Sequence, residues 1–136
     1  MALVNTYPYV LLTRTLLPQM KDDRVLLLSV ASLISFIPSC FDAVYAASKA
    51  FEVAFLEALR RETSPNIDFL TMCPQYVSTN NARLHPGGLV ATTEQFTNAT
   101  MRAVGRTQMS CGTWKHEVFC FVLKGIEAAG RRWNLH

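Results

Sequence analysis

Apolar residues crowd the stretch from Asn5 to Met20. Val10, Leu11, Leu12, Leu16 and Leu17 give it one broad face, as a helix requires. Pro8 is then expected in the first turn or so, where a missing N–H costs little. The polar run Lys21-Asp22-Asp23-Arg24 reads as a turn. Val25 to Val30 is short and almost continuously apolar, the pattern of a strand covered on both faces. A loop containing Pro38 follows from Ser32 to Asp42, and Asp42 is suited to cap a helix over Ala43 to Glu62. In that helix Ala47, Phe51, Ala54 and Ala58 share one face, and Glu57 and Arg61 pair four residues apart on the other. Thr63-Ser64-Pro65-Asn66 ends it. A second buried strand spans Ile67 to Cys73 and stops at Pro74.

Beyond Pro74 the pattern weakens. Gln75 to Val90 reads as irregular, Thr93 to Val104 as a helix capped by Thr92 or Thr93, Gly112 to Val118 as a short last strand, and Phe119 to Arg132 as a final helix. Trp114, Phe119, Phe121 and Trp133 are expected in the core. Helices alternating with buried strands predict an α/β fold with a parallel sheet. Two clear strands and one weak one make a narrow sheet against the usual four to six, and its apolar edge would stand unpaired. Further strands are therefore expected before Met1.

The chain has 136 residues, which suits one domain. Charged residues make up 17%, against roughly 25% in ordinary soluble proteins. That leaves more apolar surface than a domain of this size readily buries. A net charge of +3, with no Lys/Arg tract, gives no sign of a nucleic-acid partner. Cys40, Cys73, Cys111 and Cys120 form no CxxC pair, and no His stands at zinc-ligand spacing from them, so reduced and mostly buried thiols are expected. His85, His116 and His136 are scattered and read as ordinary polar positions; Gly87-Gly88 reads as a loop joint. The first residues carry no signal-peptide pattern, and no apolar run is long enough to span a membrane.

Chemistry concentrates in Tyr45-Ala46-Ala47-Ser48-Lys49. Four residues apart in a helix, a phenol and an ammonium lie on the same face. The ammonium favours phenolate, so such a pair can give and take a proton near neutral pH. Ser32 stands thirteen residues earlier (45 − 32), just past the end of a buried strand. The loops at such strand ends are where open α/β sheets build their sites, and a Ser there can donate to a carbonyl oxygen. Asn5 stands a further twenty-seven residues back (32 − 5), at a helix start, where it reads equally as a cap.

Together these residues and spacings resemble the short-chain dehydrogenase/reductase family. Val4-Asn5 with Leu17-Pro18 is similar to the helix bearing the family's active-site Asn, Val25 to Ser32 to the strand ending in its Ser, and Tyr45 to Lys49 to its Tyr-x-x-x-Ser-Lys motif. The resemblance implies a partial Rossmann-like domain, with residues 1–136 as its C-terminal catalytic half. It implies that Tyr45 is the general acid/base, that Lys49 promotes its ionisation and holds the nicotinamide ribose, that Ser32 orients the substrate carbonyl, and that Asn5 supports a proton-relay water. Pro74-Gln75-Tyr76-Val77-Ser78-Thr79 falls where the family usually has Pro-Gly-x-Val-x-Thr. Pro74, Val77 and Thr79 are thereby implied to bind the nicotinamide amide, with Gln75 replacing the usual Gly. That replacement, and the residues around Tyr45, resemble the branch of very-long-chain 3-oxoacyl-CoA reductases and 17β-hydroxysteroid dehydrogenases. The branch implies NADPH as cofactor, a 3-oxoacyl-CoA or ketosteroid as substrate, and the cytosolic face of the endoplasmic reticulum membrane, with attachment through a preceding segment. A chain complete as given would be cytoplasmic. The family's glycine-rich first turn has no counterpart in these residues.

The family also implies a homodimer through helices 5–20 and 43–62. A rival reading makes the chain a truncated, non-catalytic fragment that acts only as an interaction partner of a full-length relative.

Overall fold

The computed structural model describes residues 1–20, 24–37, 40–80 and 82–133. The polar turn expected at Lys21 to Arg24 lies mostly outside them, as does His136. Helix α1 (Ala2–Met20) leads into strand β1 (Val25–Val30), a short 3-10 turn (Leu33–Ser35), helix α2 (Ala43–Glu62) and strand β2 (Ile67–Met72). Strands β3 (Tyr76–Ser78) and β4 (Val90–Thr92), helix α3 (Thr93–Ala103), strand β5 (Met109–Ser110) and helix α4 (Trp114–Trp133) complete the order.

The main sheet runs β1-β2-β5 and is parallel throughout, as the alternation of elements predicted. β1 pairs with β2 in register from Val25↔Ile67 to Val30↔Met72. The ladder continues past both strands, with Ala31 N donating to Met72 O at 2.8 Å and Leu33 N to Pro74 O at 2.9 Å. α1 and α2 cover one face, where Leu56, Ile67 and Phe69 pack with Tyr9, Leu17, Met20, Leu27 and Leu59. α3 covers part of the other, where Leu70, Met72 and Ala103 pack with Leu26, Phe96 and Val104. A third cluster of Ala31, Leu33, Cys73, Cys111 and Cys120 joins the sheet's carboxyl end to α4. Cys73, Cys111 and Cys120 are buried free thiols, and burial pushes Cys73 up to about 12; Cys40 is exposed.

Five expectations need correction. α1 begins three residues before Asn5, so Pro8 and Pro18 both sit inside the helix. They leave the carbonyls of Val4 and Arg14 without their intrahelical donors. β1 is not covered on both faces: it lies at the sheet edge among the described residues, and Leu28 and Val30 are exposed. Gln75 to Val90 contains two three-residue strands, β3 and β4, which pair with each other in parallel. Gly112 to Val118 is not a strand; the last strand is Met109–Ser110 and α4 starts at Trp114. Glu117 anchors that start by accepting from Ser110 Oγ and Cys111 N, both at 2.6 Å. Helix geometry then turns Trp114 and Phe121 outward, 72% and 80% exposed, so only Phe119 of the expected core aromatics is packed inward among the described side chains.

Other local signals hold. Thr92 caps α3 in a reciprocal capping box with Gln95. Asp42 stands at the N-cap of α2 without a side-chain capping bond. Glu57 accepts from Arg61 and also from Arg60, and these bonds hold its carboxyl down at about 2.

Candidate active site

The carboxyl ends of β1 and β2 are held together by the two bonds that extend their ladder. On this crease the structure gathers most of the residues singled out in the sequence. Ser32 follows β1 by two residues and caps the 3-10 turn, its Oγ accepting from Ile34 N at 3.4 Å and its carbonyl from Ser35 N at 3.0 Å. Pro74 follows β2 by two residues, is buried, and offers its carbonyl to Leu33.

Tyr45 and Lys49 lie one turn apart in α2, which packs on the 3-10 turn. Lys49 Nζ donates to the carbonyl of Val30, the last residue of β1, at 3.1 Å. The lysine therefore reaches from its helix to the strand end that precedes Ser32. The Tyr45 phenol is half-buried and has no hydrogen-bond partner among the described residues.

Asn5 is not a helix cap, because α1 is already under way where it stands. Its Nδ2 donates to Ser48 Oγ at 2.9 Å, and Ser48 Oγ donates to the Tyr45 carbonyl at 2.8 Å. The Asn thus fastens α1 to the turn of α2 that carries Tyr45. Ser48 is buried and acts as the joint.

Val77 and Thr79 stand apart from this group. Val77 lies in β3, opposite Ala91, and Thr79 Oγ1 accepts from Ala82 N in an exposed turn. No hydrogen bond links either to Asn5, Ser32, Tyr45 or Lys49 among the described residues. Between them and Pro74, the Gln75 Oε1 is buried without a hydrogen-bond partner among the described residues. A buried carbonyl left unpaired is an acceptor for which a ligand N–H is a natural partner.

Sequence reading missed two polar groups. Tyr9, Ser29 and Glu52 sit behind Lys49; the i, i+3 spacing of Lys49 and Glu52 on one helix was the available signal. His116, read as an ordinary polar position, is fully buried. Its Nε2 meets Leu89 O at 2.9 Å and its Nδ1 meets Cys111 O at 3.3 Å, which ties α4 to the loop before β4. No three metal-ligating side chains cluster among the described residues, and no helix there is long and apolar enough to cross a membrane.

The model of the short chain dehydrogenase family matches residues 1–86. The very-long-chain 3-oxoacyl-CoA reductase of Kluyveromyces lactis is 26% identical over 136 aligned positions, covering 89% of this chain and 39% of that protein. Human 17-beta-hydroxysteroid dehydrogenase type 3 is 28% identical over 127 positions, covering 91% and 41%. Among solved structures, a short chain dehydrogenase from Burkholderia cenocepacia J2315 in complex with NADP superposes with a TM-score of 0.79 at 20% identity. That match covers 96% of this chain and 58% of the other, and at this identity it speaks for a shared fold. The chain spans about two fifths of the length of the curated relatives it matches.

Proposed function

The chain belongs to the short chain dehydrogenase family, and from that premise we propose that it is the C-terminal catalytic half of such a domain and serves NADPH-dependent reduction of a carbonyl, in a 3-oxoacyl-CoA or a ketosteroid. The observation that carries this reading is that Lys49, one turn from Tyr45 in α2, bonds the carbonyl of Val30 at the end of β1, two positions before Ser32. The names of the reductase and steroid dehydrogenase relatives support the substrate class.

The residues present fit the nicotinamide end of the cofactor. Lys49 supplies a partly exposed ammonium for ribose hydroxyls, and the unpaired Gln75 Oε1 beside Pro74 suits a carboxamide N–H. Val77 and Thr79 belong to the same segment and would flank it. When bound, the nicotinamide supplies the hydride. The chain's own residues handle the oxygen. Ser32 Oγ donates to the carbonyl oxygen and fixes it. Tyr45 gives that oxygen its proton as the alcohol forms. The Lys49 ammonium favours the phenolate left behind. Asn5, through Ser48, holds the Tyr45 turn against α1, and it supports the relay water that returns the proton. We place the protein at the cytosolic face of the endoplasmic reticulum membrane on the branch it resembles, with attachment outside α1 to α4.

The test is Tyr45→Phe, with NADPH binding and NADPH oxidation followed on a 3-oxoacyl-CoA and on a ketosteroid. Turnover is expected to fall by about 10²–10⁴-fold while binding is retained. Turnover that survives in the variant removes Tyr45 from the mechanism.

A second reading is favoured by the exposed apolar surface. Ala47, Phe51, Ala54 and Ala58 of α2, with Leu3, Val4, Tyr7, Leu11 and Leu12 of α1, face solvent, and β1 lies at the sheet edge among the described residues. These suit a homodimer through the two helices, or a non-catalytic role as partner of a full-length relative. A parent chain that binds no NADPH and reduces neither substrate supports the non-catalytic role.

A further inference from the structure

Glu52 is 1% exposed, more deeply buried than any other acidic side chain described. A carboxylate that far from water needs a positive partner and hydrogen bonds, or it loses its charge. Its partner is Lys49, whose Nζ lies 2.9 Å from Oε1 and 3.1 Å from Oε2. The same nitrogen donates to Val30 O at 3.1 Å. An ammonium has three donors and no acceptor. The carboxylate and the strand carbonyl therefore take it from two directions, and the flexible lysine stem is left with little freedom.

Two further groups close the space behind the carboxylate. The Tyr9 hydroxyl of α1 and Ser29 Oγ of β1 are 2.7 Å apart, and Ser29 is buried. Burial holds the Tyr9 phenol above its ordinary value against the Ser29 hydrogen bond, and the charge on Glu52 adds to the rise while that on Lys49 opposes it. Tyr9, Ser29, Glu52 and Lys49 thus feel one another across three elements. None of the first three has a part in the carbonyl chemistry.

We propose that Glu52 is a positioning residue, whose buried carboxylate fixes the Lys49 ammonium against the end of β1. The proposal rests on the reading of Lys49 as the group that serves Tyr45 and the nicotinamide ribose. Its content is electrostatic rather than steric. A glutamine in the same place has nearly the same shape and still offers an oxygen, but no charge.

The test is competitive acetylation of the lysines by acetic anhydride in the 136-residue chain, read by mass spectrometry. Lys115 and Lys124, both exposed, serve as internal references. In the parent chain Lys49 is expected to react slowest of the three. A partly buried ammonium that loses its counter-charge is less favoured against the reactive neutral amine. Glu52→Gln is therefore expected to speed Lys49 acetylation about tenfold relative to Lys124, with Cys73 still protected from alkylation. Glu52→Asp, which keeps the charge, is expected to restore most of the protection. An unchanged Lys49 rate in Glu52→Gln overturns the proposal. If Glu52→Gln does not fold, as loss of Cys73 protection would reveal, Glu52→Asp decides alone. The pulled-back carboxylate is then expected to raise the Lys49 rate two- to threefold, and no rise overturns the proposal. Parent chain with and without NADPH separates the two readings. Failure of NADPH to slow Lys49 acetylation counts against the cofactor role of Lys49, whereas the variant comparison alone decides the role of Glu52.

Discussion

The buried side of α2 is unusually polar and its exposed side unusually apolar. Toward the protein's interior it turns Ser48 and Glu52, both buried, together with Ala46 and Leu56. Toward solvent it turns Ala47, Phe51, Ala54 and Ala58, with the Phe51 ring stacked on Phe55 at 5.6 Å. Burial normally selects the opposite arrangement. The inward polar groups have a local explanation, since each is hydrogen-bonded to a neighbouring element or residue that bears on the site. The outward apolar stripe has no such partner within the described residues, and its continuity with the exposed face of α1 suits a surface that another body covers.

Breaking the inward side should have the largest effect. Lys49→Met leaves the Glu52 carboxylate buried and unpaired, and is expected to lower unfolding stability by about 3–5 kcal/mol, measured by urea denaturation. A loss within experimental error would mean that the carboxylate is already neutral or reaches water. The outward side should behave differently. Phe51→Glu is expected to change stability by no more than about 0.5 kcal/mol while reducing self-association in sedimentation. A marked loss of stability with unchanged association would show that the stripe is core after all. A third effect concerns the Tyr9–Ser29 bond between α1 and β1. The Tyr9 phenol is raised in the folded chain. The stabilisation linked to its proton is therefore complete below about pH 10, the ordinary tyrosine value, and is lost as pH rises through the folded-state value. Tyr9→Phe should flatten that alkaline decline and, at neutral pH, cost about 0.5–1.5 kcal/mol for the lost bond to Ser29. An alkaline melting curve identical to the parent's would remove Tyr9 from the network.

Much of the first half of the chain was legible because its elements are long or sharply punctuated. β1 from Val25 to Val30 and α2 from Ala43 to Glu62 stand where the pattern put them. The second half gave weaker signals. β3 and β4 are three residues each, too short for any alternation to show. The start of α4 was misread because Trp114 and Val118 suit strands by propensity, while the deciding interaction is a carboxylate anchor from Glu117 to residues several positions earlier. In the site, the spacing of Tyr45 and Lys49 was visible, but which side of α2 would be buried was not. Periodicity finds a stripe without saying what lies against it. Asn5 is a related case: its hydrogen bond to Ser48 spans forty-three positions, beyond the reach of any local rule.

The register of β1 against β2 also bears on how the chain reaches its folded state. Val25 meets Ile67, forty-two positions later (67 − 25), and the same interval holds along the whole ladder. Among the described residues no shorter hairpin lies within that loop, so this pairing must wait for a long closure, with α2 forming inside it. During synthesis β1 emerges well before its mate. For that interval Leu26, Leu27 and Leu28 lack the β2 residues that later pair with them.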